Sequence, residues 1–189
     1  MWWAPLLNNI VALLGNGGGA ANSYESIATV TVGAGGSSTI SFTSIPSTYK
    51  HLQIRGIARD ASTSGSINMQ FNSDTGNNYA RHAIYADGSG AYASAASSIA
   101  FVRPGFVAAS SYGSNIFGAI VCDILDYQNT NKYKTMRSLA GVDNNGSGEI
   151  DFRSGLWQST SAISSITLYV DGGSNIAQYS SFALYGVKG

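Results

Sequence analysis

The sequence predicts an all-β protein: an antiparallel, jelly-roll-like β-sandwich of about ten strands, preceded by a short apolar helix at the N-terminus. Three observations lead to this prediction. From residue 24 onward, apolar and polar residues alternate with a period of two, as in strands with one buried face and one wet face. Clusters of Gly, Ser, Asn and Asp separate these runs, as turns between short strands require. A helical period is confined to the first fifteen residues.

The N-terminal segment, MWWAPLLNNIVALL, has the apolar spacing of one helix face. Its helix would have about ten residues, far fewer than the roughly 20 that cross a bilayer. No Lys or Arg precedes Lys50, which argues against a cleaved secretory signal. Because so short a helix is marginal by itself, we predict that it attaches the protein to a partner surface. The attachment residues are Trp2, Trp3, Leu6, Leu7, Ile10, Leu13 and Leu14.

The chain therefore divides into two regions. Residues 1–22 are predicted to be the attachment helix and a glycine-rich linker, because the run GNGGGAANS has the composition of a flexible linker. Residues 23–189 are predicted to be the β-sandwich domain.

Within this domain, the alternation of apolar and polar residues predicts where the strands lie. Early strands are predicted near residues 28–32, 40–43, 52–55 and 67–72, and later ones near 150–152, 166–170 and 182–184.

Two stretches between these strands need separate interpretation. The stretch NIFGAIVCDIL at residues 115–125 is apolar on both faces, which indicates a central strand or one covered on both sides. It contains Cys122, the single cysteine, which we expect to be a small buried hydrophobic residue. Residues 86–114 are rich in Ala, Ser and Gly and predict a long loop that covers a sheet edge or contacts another subunit.

The composition limits the function classes. The formal net charge is zero, and charged residues make up 11% of the chain, against roughly 25% in typical soluble domains. A surface this poor in charge favours self-association or contact with polar partners such as sugars. Because no basic stripe is present, the sequence argues against nucleic-acid binding. One cysteine and two histidines leave little from which to build a zinc site, and no cofactor is predicted.

One motif resembles a calcium loop. In DNNGSGEIDFRS, oxygen-bearing side chains follow the calcium-loop spacing, but the twelfth position is Ser154 instead of the bidentate Glu. The neighbouring segments read as strands, so a hairpin tip with Asn-Gly turn chemistry is the favoured interpretation. If the weaker calcium interpretation holds, the candidate ligands are Asp143, Asn145, Ser147 and Asp151.

The sequence favours a protein without enzymatic activity. Asp123 and Asp126 follow an apolar strand and are the most interesting carboxylate pair, but acids at strand ends are more often turn formers. No nucleophile elbow, P-loop or zinc-protease motif is present. A glycoside-active enzyme remains the third-ranked interpretation.

Tyrosine is abundant, with eleven residues, and aromatic side chains with a polar tip suit sugar recognition. The alternative is that these tyrosines are ordinary strand residues. The candidates for glycan contact near predicted loops are Tyr79, Tyr85, Tyr92 and Tyr112.

Three stretches carry a resemblance to a known group: SYESIATVTVGAGGSSTISFTSIPSTYKHLQIRGIARD at residues 23–60, MQFNSDTGNNYARHAIYADG at 69–88 and SFALYGVKG at 181–189. Together they resemble virion structural proteins of tailed bacteriophages, of the tail-fibre, head-fibre or capsid-decoration type. The resemblance implies a trimeric β-sandwich displayed on a virus particle, and no catalytic residues belong to the pattern.

The functional prediction combines these points. We expect a non-enzymatic virion structural protein at the particle surface, attached to capsid or tail proteins through residues 1–22 and assembled as a homotrimer. The alternative is a carbohydrate-binding module of a tail fibre that recognises a host-surface glycan. Nucleic acid and membrane are not expected partners.

Overall fold

A computed structural model describes residues 23–189 of the chain. The predicted attachment helix and linker, residues 1–22, lie outside the described residues. The described part contains twelve strands and one 3₁₀ turn, Asp171–Gly173. The strands are β1 Tyr24–Thr31, β2 Thr39–Phe42, β3 His51–Ala58, β4 Ser66–Phe71, β5 Tyr79–Ala86, β6 Ala91–Ile99, β7 Val102–Phe106, β8 Gly118–Leu125, β9 Lys134–Asp143, β10 Gly148–Trp157, β11 Ile166–Val170 and β12 Ser181–Val187.

The strands form two antiparallel sheets. The larger sheet has eight strands in the order β1-β12-β3-β8-β9-β10-β5-β6, and the smaller has four in the order β2-β11-β4-β7. β7 packs over β9 and β10, so the small sheet lies against one face of the large one. This arrangement confirms an all-β, antiparallel architecture with two sheets, and it adds two strands to the predicted ten.

The hydrophobic core lies between the sheets, where strand alternation turns apolar side chains inward. In β11, Ile166, Leu168 and Val170 are almost completely buried, as their spacing predicts. Phe71, Tyr79 and Trp157 form an aromatic cluster with ring centroids 5.6–6.4 Å apart.

The polar groups of this cluster are satisfied by the turn between β4 and β5. Tyr79 Oη donates to the backbone oxygen of Asp74 at 3.0 Å, and Trp157 Nε1 donates to the Asp74 carboxylate at 2.7 Å. Burial raises the pKa of Tyr79 to about 12. One carboxylate-bearing turn therefore holds both large rings in the core.

Two further predictions concern the middle of the chain. β8 is central in the large sheet, between β3 and β9, which confirms the prediction for residues 115–125. Cys122 on β8 is fully buried, as expected, and burial raises the pKa of its thiol.

The prediction of a long loop at residues 86–114 is wrong, because this stretch contains β6 and β7. The segment that follows β7 is held by Arg59, whose guanidinium donates to the backbone oxygens of Ser110, Tyr112, Gly113 and Ile116.

The calcium-like motif forms the hairpin between β9 and β10. Asn144 N donates to the Ser147 oxygen at 2.6 Å, and Asn145 and Gly146 both have positive φ angles. These conformations suit Asn-Gly turns, so the hairpin interpretation is confirmed. Within residues 23–189, no helix is long and apolar enough to cross a membrane.

Candidate functional site: an exposed apolar face

Strand β10 places its charged residues inside and its apolar residues outside. Asp151 is 1% exposed and Arg153 4%, whereas Ile150 is 58% exposed and Phe152 52%. The alternation is the predicted one, but the buried face is the charged one, so the expectation that Ile150 and Phe152 face the core is wrong. These two residues open onto the side of the eight-stranded sheet turned away from the small sheet, called here the outer face.

The neighbouring strands continue this apolar surface. Cross-strand pairing aligns Phe152 with Leu139 on one side and with Ile84 on the other. The first apolar row, from β8 to β6, is Val121, Leu139, Phe152, Ile84 and Ala93. The second apolar row, from β3 to β6, is Ile57, Ala119, Gly141, Ile150, Ala86 and Ala91.

Large side chains dominate the first row and small ones the second. Leu139 and Ile84 are 55% and 63% exposed. A shallow groove of about 700 Å³ runs along the second row, over Ala119, Gly141 and Ala86. A second depression of about 530 Å³ lies beside Phe152 and Ile84. The outer face is thus a ridge of large apolar side chains next to an apolar groove.

Gly141 forms the floor of the groove in the middle of β9. A Cβ atom added there would meet only the Glu149 backbone oxygen, at an ordinary 3.6 Å. The chain itself therefore leaves room for a side chain at this position. Glycine inside a strand weakens it, and such a glycine often marks a close approach of a ligand or another backbone.

Charged residues border the apolar rows on both sides along β9. Arg137, exposed over 60% of its side chain, lies one outward position before Leu139, and Asp143 lies one outward position after Gly141. Arg137 Nη2 is 3.6 Å from Asp123 Oδ2 on β8. Asp87, in the turn after β5, adds a second acid at the Asp143 end.

A stack of guanidinium groups and aromatic rings joins Arg81 and Arg153, on the inner face of β5 and β10, to the β7 region of the small sheet. Arg81 lies over Phe101 at 5.2 Å, and Arg103 lies between Phe101 and Phe106, 5.6 and 5.8 Å from their centroids. Arg153 closes the stack 4.8 Å from Phe106. Cation–π contact of this kind is favourable where water is excluded.

Two carboxylates pair with this stack. Arg103 Nη2 contacts Asp171, and Arg153 Nη2 donates to Asp151 at 2.7 Å. The other oxygen of Asp151 accepts from the backbone N–H of Phe106 at 3.0 Å. Through Asp151, the buried charges join β10 to β7.

Glu149 is a third carboxylate beside this stack, with 20% of its side chain exposed. It lines a cavity of about 140 Å³ together with Tyr112, Thr63 and Ser64, and its Oε1 lies 3.9 Å from Arg153 Nη2. Burial, assisted by the negative charge of Asp151, raises the pKa of Glu149 to about 7. The charge of Glu149 therefore changes near neutral pH.

The four tyrosines predicted for glycan contact do not form one site. Tyr79 is fully buried in the aromatic cluster, so it offers no surface to a sugar. Tyr85 and Tyr92 stack with centroids 5.2 Å apart, on the opposite face of β5 from Ile84. Tyr112 lies at the Glu149 cavity.

The calcium candidates are also separated. Asp143 accepts from the Asn145 N–H at the hairpin tip, whereas Asp151 points inward to Arg153. Asn145 and Ser147 belong to the exposed turn between them. Among the described residues, no group of three or more His, Cys, Asp or Glu side chains is placed to hold a metal ion.

The predicted catalytic pair is divided in the same way. Asp123 lies on the outer face and accepts from Gln53 Nε2 at 2.8 Å. Asp126 lies in the turn after β8, where hydrogen bonds from Lys132 and Lys50 lower its pKa to about 2. A carboxyl group held ionised in this way is a poor general acid.

No protein-family model matches the chain, and no curated protein matches it significantly. The sequence predictions do not include the outer face. The signal for it was the apolar character of both faces of residues 115–125, which places Val121 outward on β8.

Proposed function

We propose that the protein is a non-enzymatic structural protein of a tailed-bacteriophage particle, of the decoration, cement or fibre type. Its place would be the virion surface, where residues 1–22 attach it to a capsid or tail protein. Residues 23–189 would be displayed as a β-sandwich with jelly-roll-like connectivity. Self-association completes the proposal, and the resemblance in sequence implies three copies.

The observation that supports this proposal most directly is the apolar outer face. Large apolar side chains on three adjacent strands, Leu139, Phe152 and Ile84, are each more than half exposed. Extended apolar patches on a soluble chain mark interaction surfaces. With no net charge to keep copies apart, such a surface suits a protein that works inside an assembly.

The inner face adds a second argument. Its arginines and carboxylates pair with one another, as in the Arg153–Asp151 and Arg103–Asp171 contacts. Charges used in this way stabilise a particular arrangement of strands and need no substrate. This use of polar residues suits a mechanical role.

The test begins with purified particles of the phage that encodes the chain, analysed by mass spectrometry. Particles made without the protein are then incubated with the full-length chain or with a variant carrying Leu6→Asp and Ile10→Asp. We expect the chain in the particles, binding of the full-length chain, and loss of binding in the variant. The matched control carries Asn8→Asp and Asn9→Asp, at polar positions of the same segment, and should bind.

Absence of the chain from purified particles would overturn the proposal. Equal binding by the apolar-to-Asp variant and the control would overturn the attachment role of residues 1–22 alone.

The second candidate function is carbohydrate recognition by a tail-fibre module, and one observation favours it. Tyr85 and Tyr92 form a stacked pair, and Tyr92 is 43% exposed. Aromatic rings with accessible faces and hydroxyl tips suit sugars. Binding to an array of bacterial surface glycans, lost in Tyr92→Ala and kept in the exposed-tyrosine control Tyr133→Ala, would support it. No binding by the unsubstituted chain would remove it.

A further inference from the structure

We infer that the outer face is the interface between two copies of this chain, packed face to face about a two-fold axis that runs across the strands. The inference deepens the proposed structural role, on which it rests, by naming the partner of the apolar face. Four features carry it: the two apolar rows, the groove, the unexplained glycine and the charged borders.

The first feature is the match between the two apolar rows. A two-fold axis lying between the rows, across the strands, places each strand over its own copy in the opposite direction. The first row of one copy then faces the second row of the other. Leu139 lies over the partner's Gly141, and Val121 and Ile84 lie over alanines of the partner on the same strands. On these three strands large side chains meet small ones, as close packing of two sheets requires. On β10, Phe152 instead lies over the partner's Ile150, so two large apolar side chains meet there.

The groove and Gly141 fit this arrangement. The ridge around Leu139 would enter the groove of about 700 Å³ on the facing copy. Within one chain, nothing requires glycine at residue 141, because a Cβ there meets ordinary contact distances. In the pair, however, a side chain at residue 141 would occupy the space that the facing leucine fills. The pair therefore supplies the reason for glycine that the single chain lacks.

The charged borders choose the orientation of the two copies. Arg137 and Asp143 lie at equal distances on opposite sides of the two apolar rows, on the same strand. The axis across the strands brings Arg137 over the partner's Asp143, twice by symmetry. A two-fold axis along the strands would instead bring the Asp143 ends of the two copies together, so that acidic residues of one copy lie near those of the other. Complementary borders favour one orientation over the other and suppress wrong pairings.

The size of the face is adequate for a stable pair. The six strands from β3 to β6 are about 24 Å wide at the usual spacing of ~4.8 Å, and Thr135 to Asp143 span about 27 Å. The flat footprint is therefore about 650 Å², and side-chain relief enlarges its accessible area. Specific protein interfaces bury about 800 Å² per partner. The face has the scale of an interface, and its centre is apolar.

The pair has two copies, whereas the sequence resemblance implies three. Multi-angle light scattering after size exclusion measures the mass and separates the two stoichiometries. We expect the full-length chain of 189 residues to elute with twice the monomer mass of 19.7 kDa.

Substitutions on the face give the sharper test. Gly141→Val should fill the groove, and Leu139→Asn should remove the ridge, and each should weaken the dimer by about tenfold or more. Both positions are compatible with the folded monomer, so circular dichroism and thermal melting should remain cooperative. The matched control is Tyr179→Asn, because Tyr179 is 71% exposed, lies outside the six strands and has a positive φ that Asn tolerates.

Charge exchange tests the orientation. Arg137→Asp places an acid at both border positions of β9, and Asp143→Arg places an arginine at both, so each variant should pair more weakly with itself. Mixed in equal amounts, the two variants should form heterodimers in preference to homodimers, visible by native mass spectrometry. Random mixing would overturn the orientation proposed here.

Three outcomes would overturn the inference. One is a mass of three copies that Gly141→Val leaves unchanged. Another is a monomer that binds no second copy at any concentration. The last is a monomer whose face binds an apolar dye only after Leu6→Asn and Ile10→Asn, which would identify residues 1–14 as the occupant. A dimer absent from phage particles would instead contradict the proposed function and leave the pairing intact.

Discussion

Strands β10 and β11 follow the same alternation and bury opposite kinds of residue. In β11, Leu168 and its apolar neighbours point into the core, and polar residues point out. In β10, Arg153 and Asp151 point in, and Phe152 and Ile150 point out. Both strands are well formed, so the alternation itself is satisfied in each case.

The comparison shows that two properties of a strand have different causes: which residues share a face, and which of the two faces is buried. A period of two fixes which residues share a face, but the neighbouring strands decide which face is buried. β10 buries charge because β7 supplies Phe106, whose N–H donates to Asp151 and whose ring lies 4.8 Å from the Arg153 guanidinium. The apolar residues of β10 are then left outside, where a second molecule must cover them if they are to leave water. One strand therefore serves the fold with one face and the assembly with the other.

The largest expected effect comes from breaking the buried charge pair on β10. Arg153→Met removes the charged partner of Asp151 and leaves a buried carboxylate with the Phe106 N–H alone, and breaking a buried pair in this way typically costs about 3–5 kcal/mol of unfolding free energy. Urea denaturation followed by circular dichroism measures the change. The double variant Asp151→Asn with Arg153→Met removes both charges and should recover part of the loss. A single variant that loses less than about 1 kcal/mol would show that the pair is not effectively buried.

The next prediction compares matched apolar truncations on the two strands. Leu168→Ala removes a side chain that is 1% exposed and should cost about 2–5 kcal/mol. Phe152→Ala, at a concentration low enough to hold the monomer, should change the unfolding free energy by about 0.5 kcal/mol or less. Equal losses at the two positions would mean that Phe152 is covered within its own chain.

The smallest effect is a pH dependence from the inner face. The pKa of Glu149 is raised to about 7 in the folded chain, against an ordinary value of 4.5, so the folded state binds the extra proton between these values. Stability should therefore fall as pH rises from about 4.5 through about 7, and level off above. We expect a melting temperature several degrees lower at pH 8 than at pH 5. In Glu149→Gln this difference should shrink, and an unchanged difference would assign the pH dependence to other groups.

The parts of the fold that were predicted correctly rest on strong local signals. β8 and β11 have apolar runs with β-branched residues, and the β9–β10 turn contains Asn-Gly. The sequence does not predict β6, because AYASAASSI has little β propensity and no buried residue that would mark one face. β7 was missed because Pro104 and Gly105 read as a turn. Pro104 is tolerated because β7 is an edge strand of the small sheet.

The candidate site was less predictable, for a physical reason. The outer face is made by side chains from six strands that meet only through pairing register, and register is not visible in a single strand. Gly141 shows the same limit: in the sequence it looks like a weak point in a strand, and only the register places it at the bottom of a groove. The prediction of one glycan site from the four tyrosines is wrong, because proximity to predicted turns does not show which face of a strand a residue occupies.

The two ends of the β domain meet at one corner of the large sheet. Lys188 N donates to the Ser23 oxygen at 3.0 Å, and β1 pairs with β12 along the edge of that sheet. A polypeptide fused after Gly189 would therefore emerge at the end of β12, three strands and about 14 Å away from β9. The same proximity makes circular permutation practical, because a short bridge could join these ends. The domain can thus be engineered to carry cargo without passing a chain across its apolar side.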